Sequence, residues 1–348
     1  MAEKKEFNLK AFAKRLKKQY NSMNVASQDN EPKEYISTKN KALDLALCGG
    51  ISFGYVAEWA GFSQTGKTTL MQLLLADAQE KYGAIGIWLD RENAWDNDRA
   101  ESLGVDLDNT IILKPVDIPT VTSATIALKA ILKDIPEDKY VFIVIDSLSS
   151  FKKEGKDDKS DMGKKAQEFH NMFRDVLTLM NDRMSFHFSN HRTYKIGVMF
   201  GDNTTTVGGE GPKFYTTYRI QLEDRKQIIN NKSKEILGNW IKATVIKTRK
   251  GPGYRSVFFP HKYKSGIDYY GGYGRLLVNR GYLKPKNKTD FKSFKQVTVI
   301  HEIDEENKKE FSEFEIEKFL EEYPQFNFDE YPEFNEGGFD DEDDGEES

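Results

Sequence analysis

Gly61-Phe62-Ser63-Gln64-Thr65-Gly66-Lys67-Thr68 fits the pattern G-x-x-x-x-G-K-[ST]. An apolar run, Tyr55-Val56-Ala57-Glu58-Trp59-Ala60, precedes it, and Leu70, Leu73, Leu74 and Ala78 come after it at helical spacing. A strand that turns through glycines into a helix aims successive backbone N–H groups at an anion, and the helix N-terminus adds partial positive charge. Residues Gly61, Phe62, Ser63, Gln64, Thr65, Gly66, Lys67, Thr68 and Thr69 are therefore the expected wrapping of nucleoside triphosphate oxygens. Lys67 reaches the β and γ oxygens, and the Thr68 hydroxyl ligates magnesium. The bland alternative, an ordinary turn rich in small residues, leaves the flanking strand and helix unexplained.

A triphosphate site needs a second acid near its metal. In Tyr140-Val141-Phe142-Ile143-Val144-Ile145-Asp146-Ser147 a continuous apolar run reads as a strand buried on both faces, as in parallel sheets. Asp146 ends that strand, where open α/β sheets bind their ligands, and its carboxylate suits the water shell of magnesium. A lone Asp in such a place is as readily a helix cap; paired with the loop at Gly61 it points to metal chemistry.

The 348 residues suffice for one large α/β domain with appendages or for two domains, and 38% hydrophobic with 12% aromatic residues supports a folded core. No apolar run is long enough to span a bilayer, and the charged start Met1-Ala2-Glu3-Lys4-Lys5-Glu6 is unlike a secretory signal, so a cytoplasmic protein is expected. Cys48 is the sole cysteine, which excludes an internal disulfide and a zinc cluster. The net charge of −5 hides an asymmetry: residues 329–348 hold eleven acids and no Lys or Arg, leaving the remainder at +6. A mildly basic body with an acidic tail suits a polyanion partner under self-competition; a solvated tail that aids solubility is the alternative.

Along the chain, Leu9, Phe12, Ala13, Leu16 and Tyr20 share one helical stripe, flanked by Lys10, Lys14, Arg15, Lys17 and Lys18, before a polar stretch at 21–33. That helix either folds onto its own core or docks on another subunit. From 36 to 222 strand-like runs at 84–89, 110–113, 141–146, 184–189 and 218–222 alternate with helical ones, the pattern of a parallel sheet with crossover helices. Further strands are expected at 240–247, 254–259 and 297–303, and a helix at 313–322. There is no internal repeat.

Taken in order, these motifs resemble the RecA recombinase family, and within it the phage recombinases of the UvsX type, over residues 36–268. Ile36-Ser37-Thr38 with Leu43-Asp44-Leu45-Ala46-Leu47 is similar to the family's lead-in to the phosphate loop. Trp88-Leu89-Asp90-Arg91-Glu92-Asn93-Ala94-Trp95-Asp96 resembles its second core strand and catalytic glutamate, with Ser102-Leu103-Gly104-Val105-Asp106 next. Lys195-Ile196-Gly197-Val198-Met199-Phe200-Gly201, with Thr204-Thr205-Thr206-Val207-Gly208-Gly209 and Lys213-Phe214-Tyr215, looks like the family's second DNA-binding loop. The resemblance implies a RecA-type P-loop ATPase core, an α/β fold whose mostly parallel sheet is flanked by helices. It also implies an N-terminal oligomerisation helix and linker at 1–34, the core at 35–272, a small C-terminal domain at 273–325 and an acidic disordered tail at 326–348.

By position, the resemblance makes Glu92 the general base for the attacking water and His191 the γ-phosphate sensor, where the family more often has glutamine. A carboxylate opposite the leaving group suits in-line displacement; without the resemblance Glu92 reads as a surface acid. Lys247 and Arg249 match the cation pair inserted into a neighbour's ATP site, against a bland reading as a basic strand end. Asp96 would read the adenine amino group. Arg99 stands where the family stacks a tyrosine on adenine, a departure that weakens strictness for ATP. His170, His187, His261 and His301 lack metal-binding spacing and are expected to be structural.

Two segments would face DNA. Lys152, Lys153, Met162, Gly163 and Lys164 fall in a lysine-rich first loop, which alone would read as a solvated face. Arg192, Lys195, Met199, Phe200, Gly201, Thr205, Gly208, Gly209 and Lys213 fall in a second, with backbone donors for phosphates and apolar wedges for bases. Binding should be independent of sequence. The expected cofactors are ATP and Mg2+. The expected partners are single- and double-stranded DNA, further copies of this chain in a helical filament, and a mediator or loading protein with a single-strand-binding protein. Two other readings share these motifs: a closed-ring motor and a non-catalytic relative that binds ATP and DNA. Phe326, Phe328, Tyr331, Phe334 and Phe339 interleave with the tail's acids, so the tail could imitate a single strand.

Overall fold

The computed structural model describes residues 8–17, 34–152, 162–194, 204–206, 210–294, 299–302 and 310–335. Of the expected DNA contacts, Lys153, Lys195, Met199, Phe200, Gly201, Gly208 and Gly209 lie outside the described residues, as does Phe339. The chain forms two compact units, 1–34 and 35–348. In the first, α1 (Leu9–Leu16) starts at Asn8, whose side chain accepts from the Ala11 N–H at 3.0 Å and so satisfies an orphan donor of the first turn.

The second unit opens with β1 (Tyr35–Ile36), α2 (Lys41–Ala46) and β2 (Ile51–Ser52), the two strands pairing antiparallel. Then come β3 (Val56–Gly61), α3 (Lys67–Tyr82), β4 (Ile85–Asp90), α4 (Asn97–Ser102), β5 (Thr110–Leu113), α5 (Val121–Asp134), β6 (Val141–Asp146) and α6 (Met162–Leu177). After β7 (Met184–Tyr194), β8 (Thr204–Thr206) and α7 (Glu210–Tyr215), the chain runs through β9 (Tyr218–Ile229), β10 (Ile236–Lys247), β11 (Arg255–Lys262) and β12 (Gly266–Ile267). The C-terminal part adds α8 (Tyr273–Asn279), β13 (Leu283–Pro285), α9 (Lys288–Lys292), β14 (Val299–Glu302), β15 (Glu310–Ser312) and α10 (Ile316–Glu322).

The main sheet has the order β12-β11-β10-β9-β3-β7-β6-β4-β5, and β8 pairs with β7 beside it. From β9 to β5 all pairs are parallel, whereas β10, β11 and β12 extend the sheet antiparallel. Every residue of β3 and β6 is buried, which explains their unbroken apolar runs. Strand alternation sends Phe142 and Val144 into one hydrophobic cluster with Trp59, Trp88 and Leu74, and Val141, Ile143 and Ile145 into the other with Phe173 and Phe186. Each such side chain contributes about 1.5–3 kcal/mol by leaving water. No helix among the described residues is long and apolar enough to cross a membrane.

His187 sits wholly buried within β7. Trp59 Nε1 donates to its Nδ1 at 3.2 Å, so its proton is on Nε2, 2.7 Å from Ser185 Oγ. This histidine is structural, in keeping with the sequence reading.

The C-terminal part shares the core. Phe291, Phe311, Ile316, Phe319 and Leu320 belong to the same cluster as Trp59 and Trp88. Arg275 of α8 forms a buried ion pair with Glu313 at 2.8 Å, its guanidinium 4.4–4.6 Å from the rings of Trp240, Phe291 and Phe294.

Residues 326–335 lie as a strap on this unit. Tyr273 Oη donates to the Phe326 carbonyl and accepts from Phe328 N–H, at 2.7 and 2.9 Å. The Tyr331 ring carries Arg255 at 4.6 Å and Arg280 at 5.3 Å, and Asn335 N–H reaches the Arg280 carbonyl. The reading of a disordered tail from 326 onward, with rings presented as base mimics, is corrected here for Phe326, Phe328 and Tyr331. The acidic composition concealed aromatic rings that the fold uses as packing.

Candidate functional site

The parallel strands from β3 to β4 end on one rim, and the turns beyond those ends converge there. A cavity of about 360 Å³ is lined by Ser63, Gln64, Thr65, Gly66, Lys67, Thr68, Thr69, Glu92, Asp146, His191, His261 and Tyr263. Gly66 adopts φ +82°, a conformation glycine tolerates, and starts α3 without any side-chain cap, leaving first-turn N–H groups to an anion. Lys67 Nζ donates to the carbonyls of Gly61 and Phe62 at 3.2 and 2.7 Å, so the loop's own oxygens hold the ammonium. Burial pushes its pKa below the ordinary lysine range, while Asp146, Glu92 and Asp224 pull it upward.

Thr68 Oγ1 donates to Asp146 Oδ2 at 2.7 Å, and Ser189 Oγ donates to the other oxygen. Burial raises the Asp146 carboxyl, against those two hydrogen bonds. A hydroxyl and a carboxylate in contact beside an uncapped helix form an oxygen donor set that fits magnesium with its waters and phosphates. Among the described residues there is no cluster of three His, Cys, Asp or Glu that would suit a metal caged by protein alone.

Glu92 lies just past β4, and the N–H groups of Arg91 and Glu92 both reach the Asp146 carbonyl at 2.7 and 3.2 Å, tying the β4 and β6 ends together. Asp90 shapes the next turn by accepting from the N–H groups of Ala94 and Trp95. Glu92 Oε1 meets His191 Nε2 at 2.8 Å, and that hydrogen bond is the main reason its carboxyl is held down to about 2. The expected base and the expected sensor are thus in direct contact.

His261 is an addition to the expected set. It belongs to β11, whose end runs up beside the phosphate loop, and a Cβ on Gly66 would stand 3.1 Å from its Nδ1. The ring is 6% exposed, with neither nitrogen hydrogen-bonded. Burial, then Arg99, lowers it to about 4. Its signal in the sequence is the pair His261-x-Tyr263 at the end of a β-rich run.

Asp96 and Arg99 stand outside this cavity lining. Asp96 caps α4 by accepting from Arg99 N–H at 2.7 Å, and lines a separate opening with Trp95, Asn97, Asp98, Ile112 and Lys114. Arg99 Nη1 donates to the Lys264 carbonyl at 2.7 Å, next to Tyr263.

The loop elements are anchored to this rim. Lys152 is exposed, Met162, Gly163 and Lys164 open α6, and Lys165 Nζ donates to the Phe151 carbonyl at 2.9 Å, drawing the ends of the first loop together. The second loop leaves as a hairpin, with Arg192 opposite Thr206 and Thr193 opposite Thr205, directly after His191. Arg192 itself is engaged with Glu223 at 2.8 Å and its side chain is only 8% exposed, so it is committed within the fold.

Lys247 and Arg249 stand elsewhere. β10 runs antiparallel to β9 and so ends at the other rim: Lys247 pairs with Arg219, which pairs with Glu58, three residues before Gly61. At about 3.3 Å per residue and 4.8 Å per strand, the end of β10 is displaced from the Gly61 turn by about 10 Å along the strands and about 10 Å across them. Lys247 Nζ rests on the Lys213 carbonyl at 2.9 Å, and Arg249 is exposed.

The description "RecA N-terminal domain" matches residues 6–268. Protein RecA of Streptomyces coelicolor is 32% identical over 268 residues, which cover 75% of this chain and 69% of that relative. Protein RecA of Clostridium acetobutylicum is 32% identical over 251 residues, covering 70% and 69% of the two chains, and that of Corynebacterium aurimucosum is 32% identical over 268 residues, covering 75% and 69%.

Proposed function

The chain belongs to the RecA family, and on that premise we propose that it is a DNA-dependent ATPase of the phage-recombinase kind. It polymerises with ATP on single-stranded DNA as a helical filament and pairs that strand with homologous duplex. The observation that supports this reading is the separation of the expected residues: Lys67, Glu92 and His191 meet at the strand ends of one rim, whereas Lys247 lies level with Glu58, away from that rim along the strands. On this reading the phosphate loop, base and sensor belong to that rim, and the trans cations Lys247 and Arg249 are directed away from it. Contacts that join unlike rims of identical copies are heterologous, and where the rotation does not close they build an open helix.

In such a contact the Gly66 to Thr69 N–H groups and Lys67 bind the phosphates, and Thr68 with Asp146 would hold the magnesium. Bound magnesium supplies a template and neutralises charge on the phosphoryl oxygens. Glu92 is poised to orient water and accept its proton, and His191 would exchange its Glu92 contact for the γ-phosphate. A neighbour's Lys247 and Arg249 would meet the charge that develops on the phosphoryl group. Because β7 runs from His191 straight into the β8 hairpin, a shift at the sensor is transmitted to the second DNA loop.

The test is negative-stain electron microscopy with single-stranded DNA and ATP, together with a strand-exchange assay. Open filaments and ATP-dependent exchange are expected. Closed rings, or hydrolysis by dilute monomers at the same rate without DNA, would overturn the reading.

A further inference from the structure

β3 carries a carboxylate, Glu58, that has no solvent exposure and no part in the roles described above. Arg219 Nε donates to its Oε2 at 2.5 Å, and Asn190 Nδ2 to its Oε1 at 3.0 Å, so both oxygens are fixed. Arg219 is the β9 residue directly opposite Lys247. Lys247 is repelled by Arg249 and Arg219, attracted by Glu58, and depressed foremost by its own burial. Lys247 thus faces Arg219 across the β9–β10 pair, Arg219 is held by the buried Glu58 carboxylate, and Arg249 follows two residues on. Buried ion pairs are often replaceable by apolar residues of like volume without loss of stability, so stability alone is a weak reason for one here.

We propose that Glu58 is a positioning residue for the trans-acting cation: its carboxylate neutralises Arg219, whose guanidinium would otherwise repel Lys247, directly opposite it, from the position in which it is delivered to the neighbouring protomer's phosphate site. This rests on the shared-site reading above. It makes one prediction that a merely structural role does not. Loss of the Glu58 charge should harm a protomer in its role as donor of cations and spare it in its role as holder of nucleotide.

Two mixtures separate those roles. In the first, Glu58→Gln is carried on a Glu92→Gln chain, which supplies only cations, and mixed with a Lys247→Ala/Arg249→Ala chain. In the second, Glu58→Gln is carried on the Lys247→Ala/Arg249→Ala chain, which supplies only the phosphate loop, and mixed with Glu92→Gln. Relative to the mixture without Glu58→Gln, ATP turnover should fall roughly 3- to 30-fold in the first case, with KM for ATP unchanged, and stay within about twofold in the second. Equal losses in both mixtures, or no loss in either, would overturn the inference. Failure of the parent mixture to hydrolyse ATP would instead overturn the shared site itself, and the inference with it. Should Glu58→Gln alone not fold, the neutral pair Glu58→Gln/Arg219→Gln is run through the same mixtures. It should recover the donor role to within about threefold of the parent, and a low rate in both roles would count against the proposal.

Discussion

Suppose Glu92→Gln, which keeps the proposed trans cations but lacks the proposed base, is mixed with Lys247→Ala/Arg249→Ala, which keeps that base but lacks those cations. Each alone should hydrolyse ATP about 10³-fold more slowly than the native chain, since a trans cation is worth about that much or more at a phosphoryl group. On the proposed shared site, a working centre forms wherever the second variant's phosphate loop meets the first variant's β10 end. In a random equimolar polymer that is half of one times half of the other, about a quarter of all contacts. Strict alternation would raise it to about half. Turnover in single-strand-dependent ATPase assays should therefore trace a dome against mixing ratio, peaking near equal amounts at about 25–50% of the native rate. A straight line between the two feeble parents would refute the reasoning, because it would mean that each chain completes its own centre.

Three further outcomes are tied to particular contacts. Glu92→Gln alone should lower kcat about 10²–10⁴-fold while ATP binding, read by a fluorescent analogue, persists, since Lys67 is held by the Gly61 and Phe62 carbonyls. The buried imidazole of His187, lowered to about 3, gives acid sensitivity. Its contribution is intact above the unfolded pKa of about 6.5 and is lost as pH falls toward 3, at about 1.4 kcal/mol per unit; urea unfolding at successive pH values should show a shallower decline for His187→Gln. Ending the chain after Asn335 should leave the melting temperature within about 2 °C of native, whereas ending it before Asp329 removes Tyr331 from between Arg255 and Arg280 and should lower it by about 4 °C or more.

Local chemistry was what the sequence disclosed best. The phosphate loop, its strand and its helix are contiguous, so spacing alone located them, and Asp146 was visible because an apolar run ended in an acid. The sheet's parallel half was legible for the same reason. His261 and Tyr263 were hidden because they reach the cavity only through a hairpin that places β11 beside β10, a pairing no local pattern specifies. Glu58 gave no signal at all, being one acid inside an apolar strand whose partner lies on β9. The strap at 326–335 was obscured by charge: Tyr331 is useful to the fold because two arginines from distant elements need a ring between them.

The separation of Lys247 and Arg249 from the phosphate loop also bears on the extremities of the proposed filament. In the proposed filament one tip would present a vacant phosphate cradle and the other an unmated pair of cations, however many copies intervene. Growth and shedding at the two tips of that proposed filament should accordingly obey different rate laws. A small anionic ligand or a basic peptide could plug one terminus while leaving its counterpart untouched.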